Sequence, residues 1–440
     1  MTTGLFWFTQ DIRLDDNPAL QQAARQCDQL LLVYVHDSRL ERAGNFNAAR
    51  MGRARRDFLF EGLADLGQQL DACGQQLLMF TGDPVEVLSE LVSRYRIDRL
   101  FCTRSSGVYE QRQLSSLQSR FPHLNASIID GYTLFDQSQL TEIVDPFPVS
   151  FSAFRRRVEK ALDIPQPLPP VMDLPPAVKI EARGEQLSTS AGYHNDTWFA
   201  GGEQAAQSHL ERYFSSLLPS TYKQVRNELD GLENGTRFSP WLAQGSLSPR
   251  RIMRQLKQYE ARQGANESTY WIFFELLWRE YFQWYAHHHG VRLYHLKGIQ
   301  GRSPLTSFYP QRFKSWCEGT TPWPLVNACM RQLKQTSWMS NRGRQIVASC
   351  LVNELALDWR YGAAWFEQEL LDYDSASNWG NWQYLAGVGA DPRGKRRFDI
   401  AKQTRQYDPD GHFIEYWQGN EQTFALDHVD ASDWPIPPRH

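Results

Sequence analysis

Short apolar runs alternate with amphipathic stretches over the first third of the chain. The runs are rich in aliphatic and aromatic residues, a composition typical of buried strands. Between them, apolar positions recur every three or four residues over Arg53–Cys73 and Val85–Tyr95, which predicts helices. Alternating strands and helices predict a parallel sheet with helices on both faces. The predicted strands are Gly4–Phe8, Leu30–Val35, Leu77–Phe80, Arg99–Cys102 and Ala126–Ile129.

Helical periodicity replaces the strand pattern from about Thr197 to about Gly387. Before it, six prolines crowd the stretch Asp163–Pro176, which predicts an extended connector. A chain of 440 residues is long enough for two or three structural units. We therefore predict an α/β N-terminal domain with a Rossmann-like parallel sheet over residues 1–135, an interdomain linker over 136–196 and an all-α C-terminal domain over 197–440.

Aromatic residues are unusually frequent, with 15 Trp, 18 Tyr and 24 Phe, and most of the tryptophans follow residue 197. Two interpretations stay open: a large helical core, or an aromatic site for a planar ligand. The net charge of −3 provides no attraction of the whole molecule to nucleic acid, so DNA binding would require a local basic patch.

Several classes of site are disfavoured by the sequence. The six cysteines form no C-x-x-C pair, which argues against zinc and against a disulfide framework, and we expect no metal site. No G-x-G-x-x-G or Walker fingerprint follows the first strand. The N-terminus lacks a signal pattern, and no apolar run reaches the roughly 18 residues of a membrane span. We expect a cytoplasmic protein without a membrane partner.

A helix predicted over Ser268–Gly290, with Ser268 as its N-cap, places three chemically suggestive residues on one face. Glu275, Trp278 and Arg279 stand at positions i, i+3 and i+4. They are consistent with a buried ion pair in the core, or with a flat ligand that stacks on the indole and contacts both charges. The histidines 287–289 are predicted to form a solvated helix end.

Two further segments carry polar residues with helical spacing. A helix predicted over Asn341–Leu357 places Asn341, Arg344 and Gln345 on one face, either as a solvent-facing stripe or as ligand contacts. Asp372 and Asp374 precede another helix start, where they could act as caps. Together with Arg344 and Asn378, they would equally suit the hydrogen-bonding edge of an isoalloxazine ring.

A fourth segment, Tyr222–Arg250, combines hydroxyl residues with a turn rich in Gly and Pro. Thr236 and Ser239 lead into a helix start, where hydroxyls and backbone N–H groups can bind phosphate. Many helix starts look alike, so this segment is informative only together with the others.

These segments resemble the photolyase/cryptochrome family, and most closely its cryptochrome DASH branch. The resemblance is carried by long ordered strings, and the opening WFTQDIRLDDNPAL extends it to nearly the whole chain. The other matching strings are YKQVRN, TRFSPWLAQGSLSPR, ELLWREYF, SWMSNRGRQIVASCLVNELALDWRYGAAWFE, DYDSASNWGNWQYLAGVGADPR and RRFDIAKQTRQYDPDG.

The resemblance implies FAD as the cofactor and assigns its contacts. Tyr222, Thr236, Phe238 and Ser239 would hold the pyrophosphate, with Arg279 nearby. Arg344, Asp372, Asp374 and Asn378 would surround the flavin ring. Glu275, Trp278, Asn341, Gln345 and Tyr384 would line the opening through which a flipped cyclobutane pyrimidine dimer enters.

The implied reaction is light-driven repair, in which excited, fully reduced FAD lends an electron to the dimer and the ring splits. Duplex-acting photolyases usually show Met and Trp where this chain has Gln345 and Tyr384, so we expect a preference for single-stranded DNA. The alternative is a blue-light receptor with little repair activity, and we expect a monomer in either case. The candidate DNA-facing cations are Arg237, Arg250, Arg251, Arg254, Arg342, Lys395, Arg396 and Arg397.

The resemblance also implies a light-harvesting folate, methenyltetrahydrofolate, near the domain interface. Glu110 matches the antenna-contacting glutamate, whereas Thr9 and Asp15 replace the Arg and His that many members show. Trp382 and Trp359 match the inner members of a tryptophan relay to the flavin. The outer position falls at or near Thr306, for which Trp316, Trp323 or Tyr309 could substitute, and the change predicts slower photoreduction of oxidised FAD.

Overall fold

The computed structural model describes residues 1–180, 198–390 and 396–421. Its N-terminal part is a five-stranded parallel sheet with the order β3-β2-β1-β4-β5, which confirms all five predicted strands. The central strand pairs on both sides, so that Leu5 lies opposite Leu31 and Leu100. The strands are β1 (Thr3–Phe8), β2 (Gln29–His36), β3 (Leu77–Thr81), β4 (Arg99–Thr103) and β5 (Asn125–Ile129).

Four helices cover the two faces of this sheet, as a buried parallel sheet requires. Local capping explains where two of them start: the side chain of Asn17 accepts a hydrogen bond from the N–H of Leu20, and Asp83 accepts one from Val85. Each face of the sheet has its own apolar core. The helices are α1 (Pro18–Gln26), α2 (Arg53–Ala72), α3 (Pro84–Arg94) and α4 (Val108–Arg120).

The range 136–196, predicted to be a linker, includes two helices, α5 (Gln137–Val144) and α6 (Phe151–Ala161). Their apolar sides, with Leu140 and Phe154 among them, belong to the core of the helical domain. The proline-rich stretch 163–176 has no regular secondary structure. The helical domain therefore includes α5 and α6, which precede the proline-rich connector, because both helices have an apolar stripe to bury.

The C-terminal domain is helical throughout its described part, and one large apolar core unites its helices. No helix in the described ranges is long and apolar enough to cross a membrane. The helices are α7 (Glu203–Ser215), α8 (Leu218–Val225), α9 (Ser239–Gln244), α10 (Pro249–Gln263), α11 (Glu267–His289), α12 (Pro310–Glu318), α13 (Pro324–Thr336), α14 (Asn341–Ser349), α15 (Trp359–Glu369), α16 (Ser375–Ala386), α17 (Ile400–Tyr407) and α18 (His412–Tyr416).

Two predicted helix boundaries were wrong. Helix α11 is capped by Asn266, which forms a reciprocal capping box with Thr269, so Ser268 is an internal residue and not the cap. Helix α14 ends at Ser349 and continues only as a π-helical turn over Cys350–Glu354, short of the predicted end at Leu357. The predicted end of α11 before Gly290 is confirmed, since this glycine has a φ of 52°.

Buried carboxylates of the helical domain tie the two domains together. Glu280 of α11 accepts hydrogen bonds from the backbone N–H groups of Leu134 and Phe135, at 2.8 Å and 3.2 Å. Glu203 of α7 accepts from the N–H groups of Leu14 and Asp15, at 2.7 Å and 2.9 Å. Because a buried carboxylate is costly without donors, these contacts fix one domain against the other.

Candidate functional site

The first element of the site is an ion pair between α14 and the segment before α16. Arg344 Nη2 lies 2.8 Å from Asp372 Oδ2, and Arg344 Nε donates to the carbonyl oxygen of Met339 at 2.9 Å. The Asp372 side chain is only 2% exposed, and its second oxygen, Oδ1, has no hydrogen-bond partner. Such an orphaned oxygen suits an N–H donor from a ligand, because leaving it unpaired costs free energy.

The flavin ring carries an imide N–H, so the residues present fit the cofactor that the resemblance implies. The carboxylate of Asp372 offers the acceptor, and Arg344 next to it offers a cation to a ring carbonyl. The interpretation of Asp372 as a helix cap was wrong, since it pairs with Arg344 and caps no helix.

Asp374, by contrast, does cap a helix, which confirms that interpretation. Its Oδ1 accepts from the N–H of Ser377 at 2.6 Å at the start of α16. Its Oδ2 accepts from the Tyr132 hydroxyl at 3.1 Å and from Gln283 Nε2 at 2.7 Å. Tyr132 comes from the N-terminal domain, so this carboxylate joins the candidate ring site to the domain interface.

Arg279 reaches the same interface from α11. Its Nη1 donates to the backbone oxygen of Tyr132 at 2.8 Å, and its guanidinium lies 4.2 Å from the centre of the Tyr132 ring. No sequence pattern singled out Tyr132, and Gln283 was missed although it stands four residues after Arg279 on α11. They matter through contacts that only the folded chain creates.

Helix α16 presents Asn378 and Trp382 one turn apart. Asn378 Nδ2 donates to the Ala363 oxygen of α15 at 3.0 Å. Trp382 packs edge-to-face against Phe366, with ring centroids 5.2 Å apart. A Cβ atom added to Gly362 would lie 2.3 Å from the Trp382 ring, so a glycine is needed for the two helices to approach this closely.

The predicted substrate opening is lined by aromatic and charged groups of α11. Trp278 lies edge-on to Tyr384 at 6.1 Å, and Phe151 stacks on the indole at 3.7 Å with an interplanar angle of 12°. Glu275 forms an ion pair with Arg226 of the loop after α8, so a pair between Glu275 and Arg279 was the wrong interpretation. Burial raises the pKa of Glu275, and the Arg226 guanidinium opposes this shift.

Tyr222 lies close to this ion pair. Burial raises its pKa above the ordinary value, and the Glu275 carboxylate adds to the shift. On α14, Gln345 is partly buried, whereas Asn341, the first residue of the helix, is exposed. The polar stripe of α14 therefore runs from solvent at Asn341 to the ion pair at Arg344.

The predicted phosphate segment forms the turn before α9. The Thr236 backbone oxygen bonds to His209 Nε2 at 2.8 Å, Phe238 is buried against Tyr213, and Ser239 begins the helix. Arg237 between them has a φ of 55°, and its guanidinium lies 3.5 Å from the centre of the Trp338 ring. These contacts hold the turn in place next to the helix start.

Three predicted DNA-facing cations were wrong, because they are consumed inside the protein. Arg237 is buried and donates to the Leu232 oxygen at 3.1 Å. Arg250 donates to the Leu134 oxygen at 3.0 Å, and Arg251 Nε donates to Asp15 at 2.8 Å. A buried guanidinium needs several acceptors, and the backbone carbonyls and carboxylates supply them.

Two other predicted cations lie near the opening. The Arg396 guanidinium lies 4.6 Å from the Tyr384 ring centre, and Arg342 lies 4.9 Å from that of Tyr407. Arg397 is exposed and pairs with Glu354 at 2.9 Å. The predicted contact at Lys395 lies outside the described residues.

A separate cavity of about 550 Å³ lies between the two domains. Glu110 and Thr9 line it from the N-terminal domain, and Tyr373 and Trp379 line it from the helical domain. Arg50 lies 3.8 Å from the ring centre of Tyr109, and Arg55 lies 4.5 Å from that of Tyr373. No sequence pattern indicated Arg50, Arg55, Tyr109 or Tyr373, because they are scattered along the chain and share no periodic face.

The predicted relay is only partly aromatic in the structure. Trp382 and Trp359 are both buried, and Trp359 Nε1 donates to the Leu296 oxygen at 3.1 Å. Thr306 brings no ring to its position and lines, together with Trp359, a small cavity of about 230 Å³. Trp316 lies against Trp382, with centroids 6.2 Å apart.

The remaining two candidates for the outer position lie at helix starts. Trp323 precedes α13, and Tyr309 precedes α12 beneath the guanidinium of Arg312, 4.2 Å from the ring centre.

A two-domain α/β and helical fold with a carboxylate–guanidinium ring site defines a flavoprotein of the photolyase type, and sequence comparisons agree. Residues 4–173 match the family described as DNA photolyase. Residues 271–435 match the FAD binding domain of DNA photolyase. The C-terminal domain therefore binds FAD.

Individual relatives cover almost the full chain. A cryptochrome DASH of Idiomarina loihiensis is 50% identical over 98% of this chain and 96% of its own length. One of Vibrio parahaemolyticus is 49% identical over 98% of this chain and 97% of its own length. The crystal structure of a Synechocystis cryptochrome superposes with a TM-score of 0.90 at 33% identity, covering 99% of this chain and 94% of the other. The chain belongs to the photolyase/cryptochrome family, in its cryptochrome DASH branch.

Proposed function

We propose that the protein repairs cyclobutane pyrimidine dimers with light and prefers single-stranded DNA. The observation that carries this proposal is the aromatic opening formed by Trp278 and Tyr384 on the side of the Glu275–Arg226 ion pair. An extruded pyrimidine dimer has apolar surface around its cyclobutane ring and polar groups along the edges of its bases, and these side chains complement both features.

The chain's own residues bind and orient the two partners. Asp372 and Arg344 would hold the polar edge of the flavin ring, and Asn378 and Trp382 of α16 would border it. When bound in its reduced form, FAD supplies a light-activated electron donor. Trp278 is fixed from behind by its stack on Phe151, so it offers a rigid surface to the extruded dimer at little cost in entropy.

The preference for single-stranded DNA follows from the free energy that is needed to extrude a base from the helix. Unstacking and unpairing a base from a duplex costs a few kcal/mol, and this cost is lowest in a strand that is already single. A lining with Gln345 and Tyr384 has less apolar surface to offset it than Met and Trp would have. Arg396 beside Tyr384 and Arg342 on α14 provide positive charge for the strand's phosphates.

The test is to illuminate the reduced holoprotein with dimer-containing oligonucleotides, single- and double-stranded, and to measure restored thymine against a dark control. We expect efficient repair of the single strand and poor repair of the duplex. The double variant Gln345→Met/Tyr384→Trp should gain duplex repair. Absence of light-dependent repair with either substrate would favour the blue-light receptor instead, and equal repair of both would refute the strand preference.

The interdomain cavity is proposed to hold methenyltetrahydrofolate as a light-harvesting antenna. Burial raises the pKa of Glu110, so a protonated or hydrogen-bonded carboxyl there can face the polar edge of a pterin ring. The fluorescence of the folate should be quenched when it binds to the purified protein, because its excitation energy is transferred to the flavin. Glu110→Ala should weaken the binding of the folate. A monomeric state and a cytoplasmic location belong to the same proposal.

A further inference from the structure

The route by which electrons reach the flavin must leave Trp359 without an aromatic ring at residue 306. Thr306 lies beside Trp359, but its hydroxyl reaches only towards the Ala356 oxygen, at 3.5 Å. A threonine side chain cannot be oxidised at a biologically accessible potential, so Thr306 cannot donate an electron to Trp359. If Trp359 is oxidised, its electron must come from another neighbour.

That neighbour is Trp379 of α16. The rings of Trp359 and Trp379 lie edge-to-face, with centroids 5.8 Å apart and an interplanar angle of 75°. The two indoles are therefore in contact, whereas the position of Thr306 offers no ring. Trp379 also lines the interdomain cavity, so the contact leads from the buried core to a space between the domains.

Trp379 is in turn connected to a tyrosine. Its Nε1 donates a hydrogen bond to the Tyr373 hydroxyl oxygen at 3.2 Å. The Glu367 carboxylate of α15 lies near both groups, since the Tyr373 phenol and the Trp379 indole each stabilise its charged form. Three side chains that no pattern in the sequence linked, an indole, a phenol and a carboxylate, thus lie close together in the fold.

The surroundings of Glu367 keep it suited to receive a proton. Arg50 Nε lies 3.5 Å from its Oε1, and Arg55 lies over the Tyr373 ring at 4.5 Å from the centre. Burial raises the pKa of Glu367, which strengthens it as a base, while the two guanidinium groups oppose this shift. A phenol loses an electron readily only if its proton leaves at the same time, and Glu367 is the group that can take it.

We propose that Trp379 and Tyr373 form a second branch of the electron supply, which ends at the interdomain cavity. One electron moves from Tyr373 through Trp379 to oxidised Trp359, and the phenolic proton of Tyr373 moves to Glu367. Tyr373 becomes a neutral tyrosyl radical. When no folate occupies the cavity, a thiol that reaches Tyr373 through it returns one hydrogen atom, and Glu367 releases its proton to solvent. This branch rests on the proposed relay role of Trp382 and Trp359.

The experiment detects the amino-acid radical that forms after excitation of the flavin, and it does not measure DNA repair. Oxidised holoprotein is excited with a blue flash, and the partner radical is identified by transient absorption and by EPR with ring-deuterated tyrosine. We expect a tyrosyl radical in the wild type, only tryptophan radicals in Tyr373→Phe, and a rapidly recombining tryptophan radical in Trp379→Phe. The step should be slower in D₂O, and slower still in Glu367→Gln.

The matched control is Tyr361→Phe. Tyr361 also lies in this region, stacked on Phe308 at 4.2 Å, but it does not belong to the branch. Its variant should retain the tyrosyl signal. A tyrosyl signal that survives in Tyr373→Phe, or that disappears in Tyr361→Phe, overturns the proposal.

Two outcomes distinguish a failure of this branch from a failure of the Trp382–Trp359 relay on which it rests. Tryptophan radicals without a tyrosyl radical in the wild type refute the branch and leave the Trp382–Trp359 relay standing. No amino-acid radical at all refutes both. The EPR signal of the ring-deuterated tyrosine is measured in the wild-type sequence, so the test stands even if a variant folds poorly.

Discussion

Replacing Asp372 with asparagine tests the flavin assignment most directly. The substitution keeps the shape of the side chain but removes the negative charge beside Arg344, 2.8 Å away. An amide also presents two N–H hydrogens where the carboxylate presented only acceptors, so one of its contacts becomes repulsive.

The magnitude follows from the burial of this carboxylate, whose side chain is 2% exposed while that of Arg344 is 25% exposed. A hydrogen bond to a charged group contributes about 1.5–3 kcal/mol, so the dissociation constant of FAD should rise about 10- to 100-fold. Breaking a fully buried ion pair costs about 3–5 kcal/mol, and because Arg344 keeps partial access to water we expect about 1–3 kcal/mol for the flavin-free protein.

The assay is equilibrium titration of the flavin-free protein with FAD, followed by flavin fluorescence, with unfolding recorded by circular dichroism. The control is Glu86→Gln, which removes an exposed partner of Arg120 at 2.8 Å on the N-terminal domain. It should leave the affinity for FAD unchanged. Wild-type affinity in Asp372→Asn would refute the assignment of this carboxylate to the flavin.

Two further predictions concern stability. Gly362→Ala places a Cβ atom 2.3 Å from the Trp382 ring and should cost about 1–3 kcal/mol in the free energy of unfolding, whereas Gly67→Ala, with nothing within 4 Å, should be neutral or stabilising; equal melting temperatures would contradict this. The prediction of a solvated helix end was wrong for His287, because burial lowers its pKa to about 4 from 6.5. The folded state therefore disfavours the protonated form, and the stability contributed above pH 6.5 is lost as the pH falls towards 4. His287→Gln should flatten that part of the stability profile by about 1–3 kcal/mol, and an unchanged acid limb in denaturant titrations would refute the assignment.

The sequence predicted the sheet well, because each strand is a short apolar run bounded by turn residues. It indicated Arg344 for a physical reason too, since polar groups on a helical face need partners if they are buried, and it indicated Asp372 by its place before a helix start. The ion pair between them could not be predicted, because the two residues stand 28 positions apart and meet only when α14 packs near the start of α16.

Other parts of the site could not be predicted from local patterns. Arg226 was missed as the partner of Glu275, because Arg279 offered a closer cation on the same helix. Arg250 and Arg251 were predicted to face DNA, although they bind carbonyls and carboxylates across the domain interface. A cationic sequence run carries no information on which acceptors the fold will bring to it.

The carboxylates that join the domains have a consequence for how the molecule unfolds. If the domains separated, Glu280 and Glu203 would each lose two backbone donors from the other domain, and those N–H groups would lose their acceptors. Separation of the domains would therefore cost free energy in both, and we expect heat to melt them in a single calorimetric transition. A chain cut in the connector should therefore keep its two fragments associated through these buried contacts.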